Sequence, residues 1–190
     1  NVVPLNLSLS NDTSICIGGQ VPLTASGLGS ITWSPNQFLS NNSGANVLAS
    51  PDFSITYSRP ATRGRTIFGD LVPYNEVWRT GANACVILSA STDFTMIGNA
   101  VSAGEYALFT IPGATEWTVI LSTQTDLWGS AGYSQDNDVV RVTAPAANGD
   151  FDESFTIGFK SLNPSGGELV LEWADAEVSV NLGVDSDGES

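Results

Sequence analysis

Histidine is absent from this chain of 190 residues, and lysine occurs once, as Lys160. The absence of histidine excludes Ser-His-Asp and Cys-His nucleophile systems, zinc sites with histidine ligands, and the most common general base. Lys160 lies in a segment of alternating apolar residues, which is typical of a structural strand and not of a Ser-Lys catalytic pair. We therefore expect a protein that is not an enzyme and that carries no cofactor.

Positive charge is also scarce, since six basic residues stand against twenty acidic ones and the formal net charge is -14. Binding to phosphate backbones needs a broad basic surface, and so does binding to an anionic membrane. No segment approaches the roughly 20 apolar residues that a membrane helix requires. The composition therefore predicts that neither nucleic acid binding nor membrane insertion is part of the function.

Cysteine occurs twice, as Cys16 and Cys85. A Cys16-Cys85 disulfide would suit an exported protein. Each cysteine also lies in a short apolar run, where a free thiol packs as a small hydrophobic group. Both interpretations stay open, and the unpaired state is the one we favour.

Short β-strands dominate what is present. Hydrophobic residues make up 42% of the chain, and the apolar runs are separated by glycine, proline, serine, threonine and asparagine. No stretch has a sustained helical period, so the pattern predicts an all-β, two-layer β-sandwich. One predicted hairpin pairs residues 155–159 with residues 169–173 across a turn at 163–167. A second is predicted between residues 94–97 and 105–111, joined by the connection at 98–104.

The first 57 residues differ in character from the rest. They are similar to the immunoglobulin-like repeats of bacterial surface adhesins, although the usual second cysteine is missing. We expect residues 1–57 to form an immunoglobulin-like β segment packed against a second β-sandwich core at 58–182, followed by an acidic tail at 183–190. The motifs that carry the similarity are Asp12-Thr13-Ser14-Ile15-Cys16-Ile17-Gly18-Gly19, Leu23-Thr24-Ala25-Ser26-Gly27, Thr32-Trp33-Ser34-Pro35 and Thr56-Tyr57.

The start of the chain contains a strand pattern in which Leu5, Leu7 and Leu9 alternate with polar residues. Such a strand can add to the sheet of a neighbouring subunit, using backbone hydrogen bonds for affinity and alternate side chains for register. Because donor and acceptor surfaces differ, the contact would be head-to-tail and could extend into a filament. The alternative is that this strand folds back onto its own domain. On this pattern we predict a non-catalytic structural or adhesive protein that associates with itself or with cell-surface material.

Four of the six basic residues lie in residues 58–83, namely Arg59, Arg63, Arg65 and Arg79. Arginine holds turn-rich segments by pairing with carboxylates and backbone carbonyls. It also lines pockets for anionic or polyhydroxylated ligands. Both explanations are open, and the structural one is the default.

The same segment, with dispersed motifs after it, resembles the domain-of-unknown-function family numbered twenty-nine eleven. The resemblance covers about two thirds of the chain, from roughly residue 55 to residue 182. It implies an exported protein at an extracellular or cell-surface location, and no established activity. The motifs are Tyr57-Ser58-Arg59-Pro60, Val77-Trp78-Arg79-Thr80-Gly81-Ala82-Asn83, Ala103-Gly104-Glu105-Tyr106, Leu108-Phe109-Thr110-Ile111-Pro112, Glu116-Trp117-Thr118-Val119-Ile120-Leu121, Trp128-Gly129 and Asp138-Val139-Val140-Arg141-Val142.

Arginine, asparagine and flat aromatic rings together can hold sugars or carboxylates. A small-ligand or glycan-binding module is therefore an alternative function, with the candidate residues Arg65, Tyr74, Trp78, Arg79, Asn83, Trp128 and Tyr133. The opposing interpretation places the tryptophans in the core and Arg79 against a carboxylate.

A carboxylate-based glycan hydrolase is the second alternative, because two carboxyls across a cleft suffice for that reaction. Its candidates by segment are Glu76, Glu105 and Glu116. The family pattern usually has an acidic residue at the position of Ala84, which counts against this alternative.

The tail contains Asp185, Asp187 and Glu189 at alternate positions. Closely spaced carboxylates are what calcium prefers. The motif is shorter than a calcium loop, so these residues are weak metal candidates and a solvated acidic terminus is the favoured interpretation.

Overall fold

The computed structural model describes residues 8–9, 21–26, 46–49, 53–163 and 165–184, with strand pairing alone described for the first three ranges. The strands in these residues are β1 (Ser8–Leu9), β2 (Val21–Ser26), β3 (Asn46–Ala49), β4 (Phe53–Thr56), β5 (Val86–Ala90), β6 (Phe94–Met96), β7 (Asn99–Val101), β8 (Gly104–Pro112), β9 (Glu116–Ser122), β10 (Asp138–Asn163) and β11 (Gly166–Gly183).

The strands form two antiparallel sheets, so the all-β prediction is confirmed. Strands β1, β2 and β3 make a three-stranded sheet, and the other eight form one sheet in the order β4-β5-β8-β9-β10-β11-β6-β7. Most of the immunoglobulin-like segment predicted at 1–57 lies outside the described residues. The predicted assembly strand is described only at Ser8 and Leu9, which pair with Ser26 and Ala25 of the same chain.

Strand β10 joins the two halves of the large sheet. Its first residues, from Asp138 to Pro145, pair with β9, and the remainder pairs with β11. The ring of Phe53 in β4 contacts the ring of Phe94 in β6, with centroids 5.1 Å apart. Because β4 and β6 lie near opposite ends of the strand order, this contact shows that the sheet curves over a shared core. The finer detail of a two-layer sandwich stays a prediction.

In the eight-stranded sheet, alternation of apolar residues places one face of the strands in the core that these rings share, which we call the main core. In β5 the side chains of Val86, Leu88 and Ala90 are buried, while those between them are partly exposed. Fully enclosed aliphatic side chains of β9 and β11 face the same core. Successive side chains of a strand point to opposite faces of the sheet, so the alternation of apolar and polar residues determines which side chains are buried.

A second, smaller core lies on the opposite face of β5, β8 and β9. It contains Cys85, Ala107, Phe109 and Ile120, and partly buried side chains including those of Val77, Leu127 and Tyr133 pack against it. Strands buried on both faces carry nearly continuous apolar runs, as the central residues of β8 do. The loop between β9 and β10 covers part of this face, since the amide of Cys85 donates to the carbonyl of Leu127.

One predicted hairpin is confirmed. Ile157 pairs with Leu171 and Phe159 pairs with Leu169, so β10 and β11 meet in the expected register.

The other predicted hairpin is wrong, because β6 turns back at once to pair with β7. The turn residues Ile97 and Gly98 both have positive φ, 47° and 76°, as a two-residue type I′ turn requires. Strand β8 is thereby left to pair with β5 and β9. No helix among the described residues has the length and apolar character that crossing a membrane requires.

Candidate functional site

The arginine-rich segment is irregular and is fastened to β10 by hydrogen bonds. The Thr62 hydroxyl donates to the carboxylate of Glu153, and the Arg63 amide donates to the same carboxylate at 2.9 Å. Arg59 donates to the carbonyl of Phe155 at 3.1 Å and to the hydroxyl of Thr156 at 2.8 Å. The hydroxyl hydrogen bond, with the Arg63 amide second, lowers the pKa of Glu153. These contacts tie residues 59–63 to β10, as the structural explanation of the arginines expects.

Arg65 is held by its own turn. Its Nε donates to the carbonyl of Thr62 at 2.9 Å, and its Nη2 donates to the carbonyl of Ala61 at 2.8 Å. The side chain nevertheless stays exposed. The guanidinium is therefore both fixed in direction and accessible to a ligand.

Two aromatic rings of this segment, Phe68 and Trp78, pack against rings from β9 and β11. Phe68 lies 4.8 Å from Trp117 and 6.1 Å from Trp173, measured between ring centroids. Trp78 stacks on Trp173 at 5.8 Å. Trp78, a predicted ligand residue, thus belongs to the core, as the opposing interpretation of the tryptophans held.

A cleft of about 400 Å³ lies above these rings, and we call it the Arg65 cleft. Its walls carry small side chains, exposed aromatic rings and a few polar groups. Trp117 is buried beneath it, whereas Tyr74 is 41% exposed and Phe151 is 67% exposed. The lining residues are Arg65, Thr66, Ile67, Phe68, Tyr74, Gly113, Ala114, Trp117, Ala146, Ala147, Asn148, Phe151, Ala174, Asp175 and Ala176.

Irregular pairing between β10 and β11 shapes one wall of the cleft. The register shifts between Asn148 and Asp152 and again between Asp152 and Thr156. Ala174, opposite Asp152, has a φ of 53°, which a residue with a Cβ rarely adopts. Bulges and unusual backbone angles re-aim side chains at functional sites. Here the irregularity lies beside Asn148, Phe151 and Asp175, which line the cleft.

The structure divides the predicted ligand residues among three places. Arg65 and Tyr74 line the cleft. Tyr133 packs on Phe109 in the second core and donates to the carboxylate of Asp138 at 2.7 Å. Burial, followed by that hydrogen bond and the carboxylate charge, raises the pKa of Tyr133 to about 12. The contact holds the loop between β9 and β10, and Tyr133 is not among the residues that line the cleft.

The remaining candidates lie outside the cleft. Asn83 is exposed and makes a long hydrogen bond of 3.4 Å to the hydroxyl of Ser58. Arg79 is half-buried and lies against Gly129. Trp128 precedes Gly129 and is 74% exposed, so it does not fill the core. Sequence reasoning missed Asn148, Phe151 and Asp175, since none lies in the arginine-rich segment and the register shifts of β10 and β11 bring them to the cleft.

The comparisons with known proteins identify the family. A family profile described as Protein of unknown function (DUF2911) matches residues 34–182, well over half of the chain. The chain belongs to this family. The motif resemblance begins near residue 55, whereas the family match begins at Ser34. The match therefore includes part of the predicted immunoglobulin-like segment. No curated protein and no solved structure matches the chain.

The carboxylates of this DUF2911 protein do not gather in the cleft. Of the three hydrolase candidates, Glu105 accepts a hydrogen bond from Ser89. Neither it nor Glu76 or Glu116 lines the cleft, whose described lining holds one carboxylate, that of Asp175. Within the described residues there is no group of three or more carboxylate or thiol side chains that could hold a metal ion. The tail candidates Asp185, Asp187 and Glu189 lie outside the described residues.

Cys85 of the DUF2911 protein is a free, buried thiol. Its sulfur donates to the carbonyl of Thr125 at 3.2 Å, and burial raises its pKa. A thiol in this state is a packing group and not an activated nucleophile. Cys16 lies outside the described residues.

Proposed function

We propose that this DUF2911 protein is a non-catalytic binding module that takes a small polyhydroxylated ligand, a sugar unit of a glycan, in the Arg65 cleft. The main observation in support is that two exposed rings, those of Tyr74 and Phe151, line the same cleft as Arg65, whose side chain is fixed by hydrogen bonds. Export to the cell surface, which the family resemblance implies, would bring such a module to glycans and is part of the proposal.

The size and shape of the cleft support a ligand of one or two sugar rings. Its volume of about 400 Å³ falls within the range of small-molecule sites, about 300 to 1,000 Å³. Five alanines line it, which leaves room between the aromatic rings; they are Ala114, Ala146, Ala147, Ala174 and Ala176.

The chemistry of the lining supports a sugar over an apolar ligand. Tyr74 and Phe151 offer ring faces on which the C–H face of a pyranose can pack. Arg65, Asn148 and Asp175 offer donors and acceptors for hydroxyl groups. Two nitrogens of Arg65 are already engaged with carbonyls, so the guanidinium loses little freedom when a ligand binds.

Binding without hydrolysis is proposed because the cleft contains a single carboxylate among the described residues, Asp175. Glycoside hydrolysis by the usual mechanism needs two carboxyls about 5–10 Å apart. A hydrolase would therefore need a second acid that this lining does not supply.

The experiment is a glycan screen of the full chain followed by calorimetric titration of any sugar that binds. Phe151→Ala should weaken binding at least about fivefold, since truncating an anchor ring costs about 1 kcal/mol or more. Leu162→Ala is the matched control, because Leu162 is an exposed apolar residue of the same strand outside the cleft. Equal affinity of both variants, or measurable hydrolysis of the bound sugar, would overturn the proposal.

Self-association through residues 2–10 stays a prediction. At Ser8 and Leu9 the backbone pairs with β2 of the same chain, which is the fold-back alternative. Light scattering of the full chain against a chain beginning at Asn11 tests the idea. A monomer at high concentration in both cases would end it.

A further inference from the structure

We propose that Arg79 and Trp128 form a second binding point, which takes a carboxylate attached to a sugar ring, as in a uronic acid. The inference does not depend on the Arg65 cleft, because neither residue lines it. It depends on the absence of an internal partner for Arg79, on the loop beside its guanidinium and on the exposure of Trp128.

The backbone fixes the direction in which Arg79 points. The neighbouring residue Trp78 pairs with Thr110 of β8 through two hydrogen bonds, of 2.7 and 3.0 Å. Trp78 packs on the main core, and Val77 packs on the second core. Because side chains alternate along an extended chain, Arg79 points to the side of the second core, under the loop between β9 and β10.

Arg79 has no counter-charge in the part of the chain that the structure describes. Its Nε is buried and lacks a hydrogen-bond acceptor there, and no ion pair there includes it. Every other basic side chain is either exposed or engaged by an acceptor. Arg63 is exposed, and the engaged ones are Arg59, Arg65, Arg141 and Lys160.

An unpartnered, half-buried arginine requires an explanation in a molecule that has few cations. Buried donors without acceptors are rare because each costs the hydration it has lost. Pairing with an internal carboxylate, the structural explanation for Arg79, is not found in the described residues. A ligand carboxylate would pair with the terminal guanidinium nitrogens in the two-point geometry that arginine favours. It would supply the missing counter-charge, while Nε stays buried. An internal carboxylate would have neutralised this charge, so the charge is available for an anion from outside.

The adjoining loop supplies an exposed aromatic ring. An ideal Cβ built at Gly129 would lie 3.5 Å from Nη1 of Arg79, so the guanidinium lies against the backbone there. Trp128 comes directly before Gly129 and is 74% exposed, although tryptophan usually buries most of its surface. The exposed ring of Trp128 and the guanidinium that meets Gly129 therefore belong to one stretch of surface, which offers a stacking face and an anion partner. A uronic acid presents the complementary pair, a ring face and a carboxylate.

The test is a titration of the ¹⁵N-labelled full chain with sodium D-glucuronate, followed by the indole N–H signal of Trp128 and the Nε–H signal of Arg79. D-glucose, which lacks the carboxylate, and sodium acetate, which lacks the ring, are titrated in parallel. We expect glucuronate to shift both signals and to bind at least about tenfold more tightly than either comparison ligand.

The variants separate a local site from the general effect of charge. Arg79→Gln should weaken glucuronate binding at least about tenfold, whereas Arg63→Gln removes the same charge from an exposed site and should leave the affinity unchanged. Equal loss in both variants, or binding of glucose as tight as that of glucuronate, would overturn the proposal. If Arg79→Gln does not fold, Trp128→Ala decides: lost binding supports the site, and retained binding overturns it. Sugar binding in the cleft is scored separately through Phe151→Ala, so either proposal can fail alone.

Discussion

Trp78 and Trp173 stack with their ring centroids 5.8 Å apart and their planes inclined by 15°. The contact joins the arginine-rich segment to β11, and Trp173 also meets Phe155 and Phe68 through its other faces and edges. Its indole N–H has no acceptor among the described residues, so the side chain is positioned by ring packing and by the backbone of β11. Phe68 and Trp117 form the floor of the Arg65 cleft. Their positions therefore depend on the packing of this aromatic cluster.

Removing one ring of the stack should destabilise the fold. We expect Trp78→Ala to lower the free energy of unfolding by about 3–5 kcal/mol, the usual cost of deleting a large aromatic side chain from a core. Urea unfolding followed by circular dichroism measures it. Trp128→Ala is the matched control, since that exposed ring should cost about 0.5 kcal/mol or less. Similar losses in the two variants would show that Trp78 does not anchor the segment.

The register of β10 and β11 could be predicted from the sequence because the evidence is local. Phe155, Ile157 and Phe159 recur at every second position, as Leu169, Leu171 and Trp173 do, and a turn sequence lies between the two runs. The second core could not be predicted in this way. Phe109 and Ile120 belong to apolar runs that face both sides of the sheet, and their alternation does not say which loop covers the second face.

The link between Thr62 and Glu153 gives a pH dependence with a defined sign. The lowered pKa of Glu153 means that its hydrogen bonds stabilise the fold above the pKa of an unfolded glutamate, about 4.3. That contribution is lost as the pH falls through the lower folded-state value. Glu153→Gln should therefore be less stable than the native chain at pH 7, and the difference should vanish in acid.

Unfolding measured by urea at several pH values between 3 and 8 checks this prediction. Glu116→Gln is the control, because Glu116 is an exposed carboxylate for which the structure gives no side-chain hydrogen bond among the described residues. A Glu153→Gln effect that stayed constant through acid pH would show that the carboxylate charge is not what fastens the segment.

Of the five cleft residues to which the proposal assigns a contact, two could be foreseen and three could not, for a physical reason. Arg65 and Tyr74 lie in the segment where cations and aromatic residues concentrate, so composition pointed to them. Phe151 and Asp175 reach the cleft through register shifts between two long strands. Such shifts depend on pairing between residues that are distant in sequence. The local signal pointed elsewhere, because Asn148-Gly149 is typical of a turn whereas the structure continues β10 through it.

Tyr133 provides a test at alkaline pH. Its pKa of about 12 exceeds the ordinary value of about 10, so its contribution to stability is complete below pH 10 and is lost as the pH rises through 12. Burial also raises the pKa of Tyr106, so absorbance at 295 nm in a Tyr106→Phe background should show a late tyrosine ionisation that Tyr133→Phe abolishes. Tyr74→Phe should leave that late step in place. If the late step persisted in Tyr133→Phe, the hydrogen bond to Asp138 would not be its source.

The backbone of Ala174 supplies the last prediction. Its φ of 53° places a residue with a Cβ in the left-handed region, at a cost of roughly 1–2 kcal/mol. Glycine adopts this angle without strain, although it loses more entropy on folding. We therefore expect Ala174→Gly to be neutral or to raise the free energy of unfolding by up to about 1 kcal/mol, with an unchanged denaturant slope. Ala144→Gly is the matched control on the neighbouring strand. Ala144 is fully buried and is not among the residues with positive φ, so the change there should destabilise the protein. If both variants lost stability equally, the left-handed angle at Ala174 would carry no strain, and the wall of the Arg65 cleft would have to be shaped by the register shifts alone.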